Sequence, residues 1–585
     1  MNTESHDGLR SVPSAQAGNW HWVILAFALI GFGLFAQYLN QALYQHQAPF
    51  FDSISYYDRV FDVVSIRQQE GLLSALLNAT TTSSTICLPY LLAIPFSYFM
   101  EASRSIGVWI EVGYFTVFLV SFAAFLRQLG GNSREISFNL IPFFLVGALY
   151  RSTAGISDLR LDLPMAWLYV ASACWILIGL RTSQWRHFVF AGILVGAACL
   201  SRAIAPVYFG IGFVPLICHR FYWIADRKKF LWQILVVIGV AFGLAGWFYL
   251  LHFKFIYYYY FIWNTDANAG VTLGRSFKHV LAALKSIGPY VGIFFLTMFA
   301  FGRPVPGGSR FASAKPFKKI SLEIRWLFWL SCAPILFLIL KRADINPFVS
   351  LPGSIAFVAC GALFLFDRIL MPMSLNPRFR YLVLFGVVLF FGACAQGYLN
   401  HSRKTLNNAA AHRKILQLIQ IDAEQSNRER LTYGVNLMTS LSVGSLESML
   451  QFDWETHYVN ETTLEIGGIQ YVASYDWFLP SKANWDKVPG ELISGKIAAL
   501  ASRSAKNLDY LIAPTFDSIS QIQLNYNYAY SSQFADLILR QFQQSKLWIP
   551  ISGAIDLEPG IKVQVFKNKS ANGMSGKKNQ KPLLD

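Results

Sequence analysis

Of 585 residues, 54% are hydrophobic, 16% aromatic and only 14% charged, against roughly 25% charged in an average soluble domain. That balance excludes an ordinary water-soluble globule. The formal net charge of +16 would suit nucleic acid, but the basic residues fall mainly in short loops between apolar runs, as in a membrane protein that fixes its orientation, so nucleic acid is excluded as a partner.

In chain order, residues 1–19 form a polar cytoplasmic tail without a basic n-region or an evident cleavage site, so the first apolar run reads as an uncleaved span. Runs long enough to cross about 30 Å of hydrocarbon follow at 20–43, 107–126, 136–153, 163–180, 188–218, 230–251, 286–302, 326–340, 349–366 and 380–399. The run 188–218 is too long for one span and is interrupted by Ser201, Arg202 and Pro206, which predicts two helices with a break at the arginine. The expectation is therefore about eleven spans over 20–399. LPYLLAIPFSYFM (88–100) has two prolines and too few residues to cross, and reads as a half-inserted helix. The seven cysteines lie in or beside apolar segments and form no CxxC, so they read as small packing residues.

Lysine and arginine gather at 219–230, 303–325 and 367–380. Placing these loops in the cytoplasm puts the first loop 44–106, the turn GISDLRLD (155–162), the loop 252–285, KRADINPF (341–348) and everything after 400 outside. From residue 400 the composition turns polar. Short β-like runs (LTYGVNL, IQYVASY, LDYLIAP, IKVQVF) alternate with helical stretches such as SSQFADLILRQFQQ, predicting an extracytoplasmic α/β domain over 400–566 and a disordered tail over 567–585.

Several charges sit on the wrong side. Asp158, Arg160 and Asp162 lie in an outer turn, Arg202 lies in the broken helix, and Lys341 and Arg342 lie in a later outer turn. A charge at the bilayer costs about 2.5–3.5 kcal/mol on insertion scales, so such residues are functional or paired. Arginine binds phosphate through bidentate hydrogen bonds; salt bridges such as Arg160 with Asp158 or Asp162 are the structural alternative. The first outer segment, APFFDSISYYDRVFDVV (48–64), offers Asp52, Asp58 and Asp62 with Tyr56, Tyr57 and Arg59. Asp52 follows the first span at the water boundary, where a carboxylate could take a proton from a hydroxyl, or could simply cap the next helix. The run HFKFIYYYYFIWNTDANAG (252–270) is an interfacial aromatic belt, or an aromatic wall for a sugar or lipid with Asp266 as an extra ligand.

Read in order, these segments resemble the GT-C superfamily of membrane glycosyltransferases, near the lipid A aminoarabinose transferases and protein O-mannosyltransferases. That family carries an Asp and a Tyr in its first outer loop, similar to FFDSISYY with Asp52 and Tyr56. CLPYLL (87–92) resembles its PPLY half helix, RQLGG (127–131) its R-x-L-G end of a span, and LDLPMAW its second outer motif LDxPxAF. GILVGAACLSRAIAPV (192–207) is similar to GLxxGLAxLTKGPV with Arg202 where Lys is usual, and KRADINPFVSLPGSIAFV (341–358) to the late K-x-x-Y-x-LP segment. Departures are Ser53 after Asp52, Thr85-Ile86-Cys87 before the half helix, and Phe348 in place of the late Tyr.

The resemblance implies a GT-C-like α-helical polytopic protein, multi-pass in the membrane (the inner membrane if bacterial). It would move a sugar from a polyprenyl-phosphate donor to a lipid, glycan or protein acceptor on the outer face. It implies Asp52 as the base, Asp162 as an orienting or catalytic carboxylate, and Arg202, Lys341, Arg342 and Arg160 as donor-phosphate ligands. No cofactor is implied, and a divalent metal finds no support in the spacing of His, Cys, Asp and Glu. GELISGK (490–496) is one residue short of a P-loop, with Ile497 where a Mg²⁺-binding hydroxyl belongs. The rival class is a transporter or flippase of lipid-linked saccharides, for which pseudo-symmetric halves and mid-membrane polar residues are expected.

Overall fold

In the computed structural model the described residues are 20–42, 52–84, 86–151, 155–263, 273–301, 321–341, 347–367, 378–426, 430–435, 457–460, 463–466, 469–473, 508–526, 540 and 546–569. Arg342, Asp266, the loops 303–320 and 368–377, the P-loop-like stretch, most of the helical stretch 531–544 and the tail beyond 569 lie outside them.

The first half runs α1 (Trp20–Ala42), α2 (Asp52–Glu70), α3 (Leu72–Thr81), α4 (Leu88–Phe96), α5 (Arg104–Gln128), α6 (Ser133–Phe144) and α7 (Asp162–Thr182). Then come α8 (Trp185–Ser201), α9 (Ala205–Trp223), α10 (Arg227–Tyr257), a π-turn Tyr258–Trp263, α11 (Leu273–Ile287), α12 (Pro289–Phe301), α13 (Leu322–Leu340), α14 (Leu351–Leu365) and α15 (Arg378–Gln425).

Among the described residues seven helices are long and apolar enough to cross a bilayer, or eight if α11 and α12, bent by 75° at Gly288, count as one span. The other spans of the expected eleven are 286–302, which is α12 of that bent pair, the run 136–153 and the two halves of 188–218. The run 136–153 stops at Phe144, just after Pro142, and continues as a 3₁₀ turn, Gly147–Tyr150. The run 188–218 divides into α8 and α9 on either side of Arg202, whose backbone is extended. The stretch 88–100, expected as a half-inserted helix, forms the nine-residue α4, which reaches only about 14 Å at 1.5 Å per residue, too short to cross.

At the centre stands α7, apolar all round and almost wholly buried, as expected of a helix enclosed by others. Trp167 is fully buried on Phe115 and Phe118, each with ring centroids 4.8 Å away. Phe118 meets Phe143 edge-on at 4.8 Å, and Phe122 meets it at 4.9 Å. Truncating an aromatic so placed costs about 3–5 kcal/mol. Apolar burial cannot drive helices together inside lipid, so close packing of small residues does it. Gly192 and Gly196 on α8 show the device: a Cβ at Gly192 would lie 2.8 Å from the Val237 carbonyl oxygen, and one at Gly196 would lie 3.0 Å from Leu244.

Helix α15 is 48 residues, about 72 Å, and carries the chain from the membrane segment Tyr381–Leu399 onto the C-terminal sheet. Strands β1 (Arg430–Val435), β2 (His457–Asn460), β3 (Thr463–Ile466), β4 (Ile469–Ala473), β5 (Tyr510–Pro514), β6 (Trp548–Pro550), β7 (Ile555–Glu558) and β8 (Ile561–Asn568) pair in the order β2-β3-β4-β1-β5-β8-β6, with β7 also on β8. The β-like runs read from the sequence supply β1, β4, β5 and β8. β1 is parallel to β4 and β5, and the other pairings are antiparallel. Helix and sheet lock where the Lys567 ammonium lies 2.7 Å from Asp422 and the Tyr510 hydroxyl donates to the same carboxylate at 2.5 Å.

Candidate active site

The α8–α9 break exposes carbonyls that have lost their i+4 donors, and in lipid each must be met. The backbone N–H of Cys87 donates to Leu200 O at 2.8 Å, which ties the start of α4 to the break. The Tyr249 hydroxyl of α10 lies 3.0 Å from Ala203 O and 3.2 Å from Cys199 O. On the other side, the Tyr114 and Ser201 hydroxyls are 2.8 Å apart. Three helices therefore hold the backbone beside Arg202 in place.

The Arg202 side chain is 13% exposed, and its Nε lies 3.3 Å from Asp162 Oδ1. Its Nη1 donates to the Tyr56 hydroxyl at 2.8 Å. The bridge joins the break, the first residue of α7 and helix α2, bringing together three segments singled out in the sequence. Asp162 is 1% exposed; as the first residue of α7 its charge is favoured by the helix N-terminus as well as by Arg202. The turn before it is also buried: Asp158 is 3% and Arg160 4% exposed. The Arg160 guanidinium lies 3.7 Å from the Phe348 ring centroid, so the residue in the place of the family's late Tyr is where this arginine packs. The Tyr208 hydroxyl donates to Val349 O at 3.0 Å and fixes that segment to α9.

Tyr57, on α2, donates to Ser157 O at 3.0 Å and accepts from the Leu159 N–H at 3.4 Å. Burial holds its phenol well above the ordinary tyrosine range, so it serves as a neutral clamp on the turn. The same cause raises Tyr90, and it pushes the Cys87 thiol up to about 12, an inert packing thiol. Asp52 is the first residue of α2, one helical turn ahead of Tyr56. Asp58 is half-buried on α2, and Asp62 pairs with Arg59 at 3.4 Å within it. Lys341 is exposed, as the residue that ends α13.

Two residues that sequence reasoning passed over belong to the same region. Arg104, 4% exposed at the start of α5, lies 5.7 Å from the Tyr57 ring centroid. Glu111, two turns further along α5, is 1% exposed and within electrostatic reach of Asp158 and Asp162. The signal was present, since a Glu inside a run otherwise free of acids marks itself as functional or paired. Among the described residues no group of three His, Cys, Asp or Glu is placed to hold a metal ion.

No family model matches the chain, and no curated protein matches it by sequence. Its fold does have solved relatives. ArnT from Cupriavidus metallidurans bound to undecaprenyl phosphate matches with a TM-score of 0.55 and 12% identity, over 95% of this chain and 99% of that one. The apo state of the same protein gives 0.53 and 11%, over 93% and 97%. The oligosaccharyltransferase of Archaeoglobus fulgidus, tethered with an acceptor peptide, gives 0.43 and 14% over 92% and 72%, too distant to carry weight. The chain thus shares the fold of that ArnT structure, and its long apolar helices make it a multi-pass integral membrane protein.

Proposed function

We propose that the protein transfers a glycosyl group from a polyprenyl-phosphate carrier to an acceptor on the extracytoplasmic face of the membrane. The observation that carries this reading is the Arg202 guanidinium, held at a helix break between Asp162 at 3.3 Å and Tyr56 at 2.8 Å. A cation fixed at the end of a membrane helix suits a lipid phosphate, whose developing charge it stabilises as the bond to the sugar breaks. The fold relative ArnT, a lipid A aminoarabinose transferase, was solved with undecaprenyl phosphate bound, which supports this carrier class.

In the proposed reaction the acceptor oxygen attacks the anomeric carbon while the bond from that carbon to the phosphate oxygen breaks. The electron pair leaves with the phosphate, which Arg202 receives with help from Lys341 and Arg342. The acceptor proton passes to Asp52. Asp162 keeps Arg202 extended toward the phosphate and orients the sugar. Arg160, packed on Phe348, shapes the rim, and Asp58, Asp158, Tyr56 and Asp266 stand as supporting groups. The acceptor is a lipid, glycan or protein.

The test is product release. The purified protein in nanodiscs, given a panel of glycosyl-phosphoryl-undecaprenols and cell-envelope extract, should liberate undecaprenyl phosphate with at least one donor. No release from any donor overturns the reading.

A further inference from the structure

Glu111 points to a role that neither the motifs nor the phosphate chemistry requires. Both of its carboxylate oxygens are buried and have no hydrogen-bond partner among the described residues. Asp158 and Asp162, both acidic, lie within its electrostatic reach. Asp162 uses one oxygen on Arg202, while its Oδ2 is likewise buried without a hydrogen bond. The Tyr260 hydroxyl, within reach of Arg202, Asp162 and Tyr56, is a third buried polar group without a partner. Polar atoms so deeply buried almost always find partners, and leaving them unmet in a dry interior is costly.

Glu111 and the Tyr260 hydroxyl each lie within electrostatic reach of Asp162. Glu111 and Tyr114 share a face of α5 at a spacing of three residues, and Tyr114 touches Ser201, the neighbour of Arg202. Glu111 therefore lies on the face of α5 turned to the junction at which α7 begins and α8 breaks. The unmet groups are carboxylate oxygens on two different helices and a hydroxyl that can both give and take a hydrogen bond. That set is complementary to a compact polyol. It is a poorer match for an ammonium, because Arg202 already offsets one of the carboxylates.

We infer that Glu111 is a specificity-determining residue which, with Asp162 Oδ2 and the Tyr260 hydroxyl, binds the hydroxyl groups of a neutral donor sugar beside the phosphate site of Arg202. This inference rests on the proposed function and deepens it by naming the glycosyl pocket.

The experiment measures binding of the full-length protein in nanodiscs to bare undecaprenyl phosphate and to undecaprenyl phosphate carrying mannose, glucose, galactose or N-acetylglucosamine. For the wild type at least one glycosylated carrier should bind several-fold more tightly than the bare carrier. Glu111→Leu should abolish that ratio, weakening the glycosylated carrier at least tenfold, and leave bare-carrier affinity within about twofold. Glu111→Gln keeps the shape and one acceptor oxygen, so it should retain part of the ratio, and it carries the test if the Leu variant fails to fold. A ratio of one for the wild type with every sugar overturns the inference, as does an unchanged ratio in Glu111→Leu and Glu111→Gln. Loss as complete in Gln as in Leu assigns the pocket to an ammonium-bearing sugar and overturns the neutral-polyol claim. Failure of bare undecaprenyl phosphate to bind the wild type is a separate result, and it overturns the donor reading itself.

Discussion

Arg202 Nε stands 3.3 Å from Asp162 Oδ1 at the point where one helix breaks and another begins. The pair is nearly dry on the carboxylate side, so its effects on stability and on carrier binding should separate. Removing one partner of a buried pair leaves an uncompensated charge and costs about 3–5 kcal/mol, whereas replacing both with apolar residues of similar volume is often neutral. Arg202→Met alone and Asp162→Leu alone should each lower the Tm. The double variant should regain most of the loss yet show no carrier binding. Recovery of binding along with stability would reduce the pair to a structural role.

Asp52 opens α2 one turn before Tyr56, the Arg202 partner. Asp52→Asn keeps the shape and much of the capping capacity but removes the proton acceptor. Sugar transfer should fall more than tenfold, equivalent to about 1.4 kcal/mol in barrier, with the Tm unchanged. A smaller loss passes the role to Asp58 or Asp162.

His412 lies on α15 beyond the membrane segment, fully buried, and desolvation lowers its pKa from 6.5 to about 4. The unfolded chain binds that proton near pH 6.5 and the folded chain only near 4, so stability rises with pH between the two values. Acidification from pH 6.5 to 4 should therefore cost roughly 3 kcal/mol through this residue, with no further change from it below pH 4. The thermal stability of His412→Leu should vary less over that window than the wild type's. Parallel profiles would show that the imidazole is solvated.

Gly288 has φ +82° between α11 and α12, and its Cα backs onto Gly147, where an added Cβ would meet it at 3.2 Å. Gly288→Ala should be destabilising by at least about 1 kcal/mol, because the left-handed backbone and the backbone contact both oppose a side chain. A Tm equal to the wild type's would mean that the bend is free to rearrange.

We propose, from the basic loops, that the C-terminal sheet lies outside the cytoplasm. A reporter active only in the cytoplasm, fused after residue 450, should be silent. Activity there would reverse the sidedness and with it the route by which an acceptor arrives.

Much of the membrane part was legible because long uninterrupted runs leave little choice: α1, α5, α7, α13 and α14 begin and end within a few residues of the runs that encode them. The break at Arg202 was legible too, since an arginine and Pro206 interrupt one long run. The run 136–153 was misleading, because mean hydropathy does not register that Pro142 and Gly147 end its helix early. In the candidate site, Tyr56, Asp162 and Arg202 could each be singled out, but their union could not. Their spacing along the chain carries no information about which helices meet. Glu111 escaped notice for a different reason: one acid in a long apolar run hardly alters its average, although its cost in lipid is large.

The most direct test of the account is the affinity of undecaprenyl phosphate for the wild type, Arg202→Ala and Arg202→Lys in nanodiscs. The account predicts binding by the wild type, a loss of at least tenfold, about 1.4 kcal/mol, in Arg202→Ala, and partial recovery in Arg202→Lys through a point charge. Equal affinity in the wild type and Arg202→Ala would contradict it.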